Sequence, residues 1–191
     1  MSLDGRLAKG EKTRDSILLA CIELIDGEPT VPTLAQVAER AGYSVRLIHY
    51  HFQGIPRLLL AAVELQVERH RSQLFVIPNK VRLAKRIEVL SRQRRLYFED
   101  MGGAYRVAGV AVRSHPGFER LLVSQRAILR KQLACSFAPE LSVPDTDSSG
   151  LLAMLEQASG WDTWKSLRDS CDHSALSAER VMIHHVTRIL C

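Results

Sequence analysis

The sequence predicts an all-α protein. Apolar residues recur at helical spacing almost throughout, whereas period-two alternation bounded by turn residues is scarce. Serine, threonine and proline stand where helices would begin, and glycine where they would end. The chain has 191 residues, 46% hydrophobic and 25% charged. That length and composition allow a sizeable core without disulfides or metals and argue against a disordered, fibrous or disulfide-framework protein.

The helices follow in order. Thr13 to Asp26 places Ile17, Ala20, Cys21, Leu24 and Ile25 on one face and stops at Gly27. Leu34 to Ala41 is a short second helix. Thr33 is its N-cap, with Gln36 completing a capping box and Gly42 suited to the left-handed position that ends it. Ser44 caps a third short helix, Val45 to Tyr50. Pro56 opens a fourth that runs toward Leu74, and Pro78-Asn79 marks a seam. Beyond the seam the pattern predicts Val81 to Met101, a break at Gly102-Gly103, and Tyr105 to Ser114. A Pro116-Gly117 turn, Phe118 to Phe137 and a loop from Ala138 to Ser149 come next, and two final helices cover Leu151 to Arg168 and Ala178 to Leu190.

No apolar run approaches the ~18 residues of a membrane span. Met1 to Lys12 lacks an apolar stretch after its basic residues, so no secretory signal is expected and the expected location is the cytoplasm. Cys21, Cys135, Cys171 and Cys191 are isolated and read as reduced thiols, with Cys21 a small core hydrophobe. The net charge of +5 is unevenly placed. Residues 1–60 carry seven Lys/Arg and seven Asp/Glu, residues 61–133 carry 15 and 6, and residues 134–191 carry 4 and 8. The surplus includes Lys80, Arg82, Lys85, Arg86, Arg92, Arg94 and Arg95, a run best read as a solvated helix face.

Residues 34–52 read LAQVAERAGYSVRLIHYHF. Two short helices joined by a tight glycine turn describe a helix-turn-helix, whose second helix enters the DNA major groove. Ala35, Val37, Ala38, Ala41, Val45 and Ile48 are expected to face inward, and Ser44, Arg46, Leu47, His49 and Tyr50 outward.

With Thr13-Arg14 before it, AERAGYS, then IHYHF, then LLLAAVE after it, the chain resembles the TetR family of bacterial transcriptional regulators over about residues 11–65. The resemblance implies a three-helix DNA-binding domain at 1–54, a fourth helix (55–77) as connector, and a helical-bundle effector-binding and dimerisation domain at 79–191. It implies a homodimer, acting as a repressor, that binds a palindromic operator and releases it when a small-molecule effector binds. Leu151 to Arg168 and Ala178 to Leu190 would form an isologous four-helix interface. Thr33 matches a phosphate-contacting position, and Ser44, Val45 and Arg46 match the start of the reading helix. Arg46 can bond a guanine's O6 and N7. Tyr43 and Tyr50 can contact backbone or a thymine methyl, and Phe52 is core. Two departures weaken the reader: His49 stands where the family commonly has tyrosine, and Ile55 where a lysine usually opens the fourth helix. Arg6, Lys9, Lys12 and Arg14 can compensate by reaching the flanking groove.

Competing chemistry is thin. Asp145, Asp147, Ser149, Gly150 and Glu156 fall at calcium-loop spacing, but Pro139 and Pro144 break any entering helix and Ser149 reads as a helix cap. His184 and His185 are adjacent and point about 100° apart on a helix. No nucleophile elbow, zinc-binding histidine pair or phosphate loop occurs, so neither an enzyme, a metal site nor a cofactor is expected. Tyr97, Met101, Tyr105, Phe118, Met154 and Trp161 are the candidate effector-pocket residues, with Tyr97, Met101 and Tyr105 flanking the glycine break, and Arg94, Arg106 or Arg113 could pair an acidic effector. The alternative function is a helical ligand-binding or scaffold protein with a weakened DNA reader.

Overall fold

A computed structural model describes the backbone of residues 3–144 and 147–191 and the side chains of residues 9–144 and 147–191. Among the described residues the regular structure is helical, with no strand. The helices are α1 (Leu3–Gly27), α2 (Leu34–Ala41), α3 (Val45–Phe52), α4 (Ile55–His70), α5 (Leu83–Ala111), α6 (Pro116–Ser136), α7 (Ala138–Leu141), α8 (Ser148–Ser159), α9 (Trp161–Lys165) and α10 (Ala175–Leu190). No described helix is long and apolar enough to cross a membrane.

The chain forms two compact units. The first comprises Met1–Arg69 and Met101–Leu122, the second His70–Asp100 and Val123–Cys191, so α5 and α6 each contribute to both. In the first unit the stripe read from α1 is buried: Ile17, Ala20, Cys21, Leu24 and Ile25. Val37 and Ala38 of α2, Ile48 and Phe52 of α3 and Leu58, Leu59, Ala62 and Val63 of α4 complete that core. Burial without a charged partner pushes the Cys21 thiol up to about 12, because the thiolate would lose its hydration.

The expected break at Gly102-Gly103 does not occur; α5 runs through both glycines. Gly103 serves close approach. A Cβ on Gly103 would lie 2.4 Å from the Ile25 carbonyl oxygen and 3.0 Å from Ile25 Cγ2. Three residues on, Arg106 donates to the Glu28 carbonyl at 3.1 Å and the Ile25 carbonyl at 3.5 Å. It thereby takes up carbonyls that the end of α1 leaves without helical partners and places positive charge at the negative end of the helix dipole. Gln66 of α4 donates to Asp26 Oδ1 at 2.8 Å, close to the same end.

The second unit corrects the reading of the basic run at three positions. Arg86 is buried and bonds both Glu140 oxygens at 2.8 and 2.6 Å, the Ser136 carbonyl at 2.7 Å and the Val81 carbonyl at 2.9 Å. Arg94 is fully buried and donates to Gln132 Oε1 at 2.6 Å and the Leu129 carbonyl at 3.3 Å. Arg95 pairs with Glu179 of α10. Only Lys80, Arg82, Lys85 and Arg92 of that run are exposed. A helical pattern alone does not show which polar residue meets a carboxylate from a distant helix.

The single helix expected over Leu151 to Arg168 is interrupted after Ser159, where Gly160 is extended (φ −88°, ψ 171°) and a Cβ would lie 2.7 Å from the Glu156 carbonyl oxygen. A π-helical turn, Ser166–Ser170, then follows α9. The cap of α8 is Asp147 rather than Ser149; its carboxylate accepts from Gly150 N–H at 2.9 Å. Asp147 and Gly150 are thus engaged in a helix start rather than a calcium loop, and Asp145 lies outside the described residues.

Two glycines of α5 separate backbone freedom from close approach. Gly103→Ala should destabilise the protein by about 1–3 kcal/mol through overpacking against Ile25. Gly109→Ala, whose Cβ meets nothing within 4 Å, should stabilise it by about 0.5–1 kcal/mol; urea unfolding measures both. Cys21 carries a pH dependence. In the unfolded chain its thiol ionises near 9.0, while the buried thiol holds its proton to about 12. The stabilisation is complete below pH 9 and is lost as pH rises from there toward 12. Wild type should therefore lose stability over that window faster than Cys21→Ala.

Candidate nucleic-acid interface

Local capping builds the α2–turn–α3 segment. Thr33 Oγ1 accepts from Gln36 N–H at 3.3 Å, and Gln36 Oε1 accepts from Thr33 N–H at 2.8 Å, a reciprocal capping box. Gly42 sits at φ 72°, the left-handed conformation in which a Cβ costs energy. Tyr43 N–H closes the turn onto the Ala38 carbonyl at 3.0 Å. Ser44 Oγ accepts from Leu47 N–H at 3.2 Å and starts α3. α1 contacts both α2 and α3, and those two contact each other, so the pair is braced from behind.

Ile48 and Phe52 turn toward α1 and α2, which leaves Arg46, His49 and Tyr50 exposed on the opposite side. Tyr50 is 79% exposed and its ring meets the edge of His51. Leu47 and Tyr43 are half-buried. Val45 and Ala35, expected to face inward, are exposed. Val45 is 44% exposed because it opens α3, ahead of the Ile48 and Phe52 positions where the helix closes on the core. The other inward assignments hold for Val37, Ala38 and Ile48, and Ala41 is half-buried.

The donors available to a phosphate also differ from expectation. The Thr33 hydroxyl donates to Gln36 Oε1 at 2.9 Å, so a phosphate would have to draw it from the capping box. Arg14 lies over the Phe52 ring, 5.1 Å from its centroid, in a cation–π contact. Lys9 and Lys12 are exposed, and the Arg6 side chain lies outside those described. Ile55 is half-buried at the start of α4, but Arg57, outside the sequence-derived set, is exposed one turn from the end of α3 and donates to Gln53 Oε1. Its place two residues after Ile55 was the available signal.

The six aromatic and methionine candidates divide between the units. Met101, Tyr105 and Phe118 belong to the first, and Tyr97, Met154 and Trp161 to the second. Tyr97, Met101 and Phe118 are buried, Tyr105 and Trp161 half-buried, and Met154 is 54% exposed. Tyr97 donates its hydroxyl to Gln125 at 2.9 Å. Phe98 contacts the rings of Tyr97, Trp161 and Trp164, an aromatic cluster that includes two of the pocket candidates, Tyr97 and Trp161.

The same chain trace occurs in solved proteins. A transcriptional regulator from Rhodococcus sp. Rha1 superposes with a TM-score of 0.72 at 14% identity, over 93% of this chain and 95% of that one. A protein described as a TetR-family transcriptional regulator from Rhodococcus sp. gives 0.67 at 16% identity, over 94% and 100%. Another so described, from Mesorhizobium loti, gives 0.65 at 13%, over 95% and 96%. The chain has the TetR-family fold. No protein-family model matches it, and no curated protein matches it in sequence. Within this TetR fold the helix-turn-helix is the N-terminal element built by α2 and α3.

The caps are separable from any DNA contact. Thr33→Ala and Ser44→Ala should each cost about 1 kcal/mol of stability, measured by urea unfolding in the absence of DNA.

Proposed function

We propose that the protein is a DNA-binding transcriptional regulator that docks α3 in the major groove. The observation that carries this reading is the capped α2–turn–α3 segment, which buries Ile48 and Phe52 and turns Arg46, His49 and Tyr50 outward together. Arg46 would bond guanine O6 and N7, while Tyr43, Ser44, Tyr50 and the N-terminus of α4 hold the backbone. His49 donates where a tyrosine would, and Arg57 supplies a cation beside Ile55.

Two copies would read a palindromic operator as a repressor, with their reading helices about 34–36 Å apart. α8 and α10 contact each other and leave Met154 and Leu176 54% and 60% exposed, apolar surface that a second copy would cover. A small-molecule effector would bind among the aromatic residues of the second unit, Tyr97 and Trp161 included. It releases DNA only by binding the non-docking arrangement more tightly than the docking one.

A gel-shift titration against the DNA upstream of the protein's own coding sequence, at two salt concentrations, tests the reading. Sequence-selective binding should weaken at the higher salt. Arg46→Ala should lose about 1–3 kcal/mol of discrimination at one position per half-site. No shift with any duplex would replace this reading with a helical ligand-binding or scaffold protein.

A further inference from the structure

Val45 opens α3 with its isopropyl group 44% exposed, between exposed Ser44 and exposed Arg46. The buried apolar residues of α3 are Ile48 and Phe52, so Val45 stands apart from the surface that closes on the core. A single exposed valine on an ordinary surface needs no explanation. This one lies in the first turn of the helix proposed to dock in the major groove, where base edges come nearest.

The major-groove edges of guanine, adenine and cytosine offer hydrogen-bond donors and acceptors, and the C5-methyl of thymine is the apolar group among them. A valine pressed on a polar edge would cut that edge off from water without replacing its hydrogen bond. On the thymine methyl, both partners leave water favourably.

We propose that Val45 is a specificity-determining residue that seats on a thymine C5-methyl beside the guanine read by Arg46. Consecutive Cα atoms lie about 3.8 Å apart and stacked bases about 3.4 Å apart, so the thymine falls within one base pair of that guanine, on either strand. The inference rests on the DNA-reading role of α3 and adds a base to it.

Duplexes selected from random sequence by the wild-type protein provide the test. Each conserved thymine is replaced by deoxyuridine, which keeps the base pair and removes only the methyl, and binding is titrated by fluorescence anisotropy. Wild type should bind the deoxyuridine duplex about fourfold more weakly per half-site, the value of one buried methyl-sized group. Val45→Ala should bind the two duplexes alike, while Arg46→Ala keeps the thymine preference and loses that for guanine. Equal wild-type affinity for both duplexes overturns the inference. So does a Val45→Ala variant that still discriminates, or a selected half-site with no thymine within one base pair of the guanine. In each of those outcomes the DNA-reading role survives; failure to select any duplex overturns that role itself.

Discussion

The first unit depends on how closely the backbone of α5 approaches the end of α1. The Ile25 carbonyl occupies the space that any Cβ at position 103 would need. A glycine there lets two helix backbones meet without an intervening side chain. Arg106 then bonds the carbonyls of Ile25 and Glu28, and Gln66 bonds Asp26. The C-terminal end of α1, which braces both α2 and α3, is thus held from two sides by residues far away in sequence. A helix end of this kind is otherwise a set of unsatisfied carbonyls prone to fray.

The reading segment is stabilised differently. Its bonds are local: Thr33 with Gln36, Tyr43 with Ala38, Ser44 with Leu47. Such bonds define helix ends with few side chains and leave the outward face free of structural duty. Arg46 and Tyr50 stand four residues apart, near the centre of that face. The hydroxyl of Thr33 shows the opposite situation, since one group serves both the cap and any phosphate.

Charge acquires a different meaning in the second unit. Arg86 and Arg94 are buried and Arg95 is half-buried, bonded to Glu140, Gln132 and Glu179 respectively. A buried guanidinium is tolerated when planar acceptors satisfy its fork of donors. Breaking such a pair leaves a charge without compensation, although the intact pair contributes little net stability. Part of the basic run in the middle of the chain is therefore interior, while Lys80, Arg82, Lys85 and Arg92 stay on the surface, and the overall charge of +5 is a poor guide to DNA affinity.

What the sequence determined by itself is everything governed by neighbours within about four residues. The helical period, the Thr33–Gln36 box, the left-handed Gly42, the Ser44 cap and the buried stripe of α1 are all of this kind. So is the short spacing of α2 and α3 that marks the reader. The tertiary structure decided the rest. Gly102-Gly103 reads locally as a break, yet the pair lies inside α5, where Gly103 packs against Ile25. Gly160, which looks like one more residue of a long helix, is extended and ends α8. Val45 fits the inward pattern of its neighbours, but it precedes the point where α3 meets the core and so lies exposed. For Gly103 and Val45 the deciding feature is a distant backbone atom or the place where two helices begin to touch, and neither is encoded in local spacing.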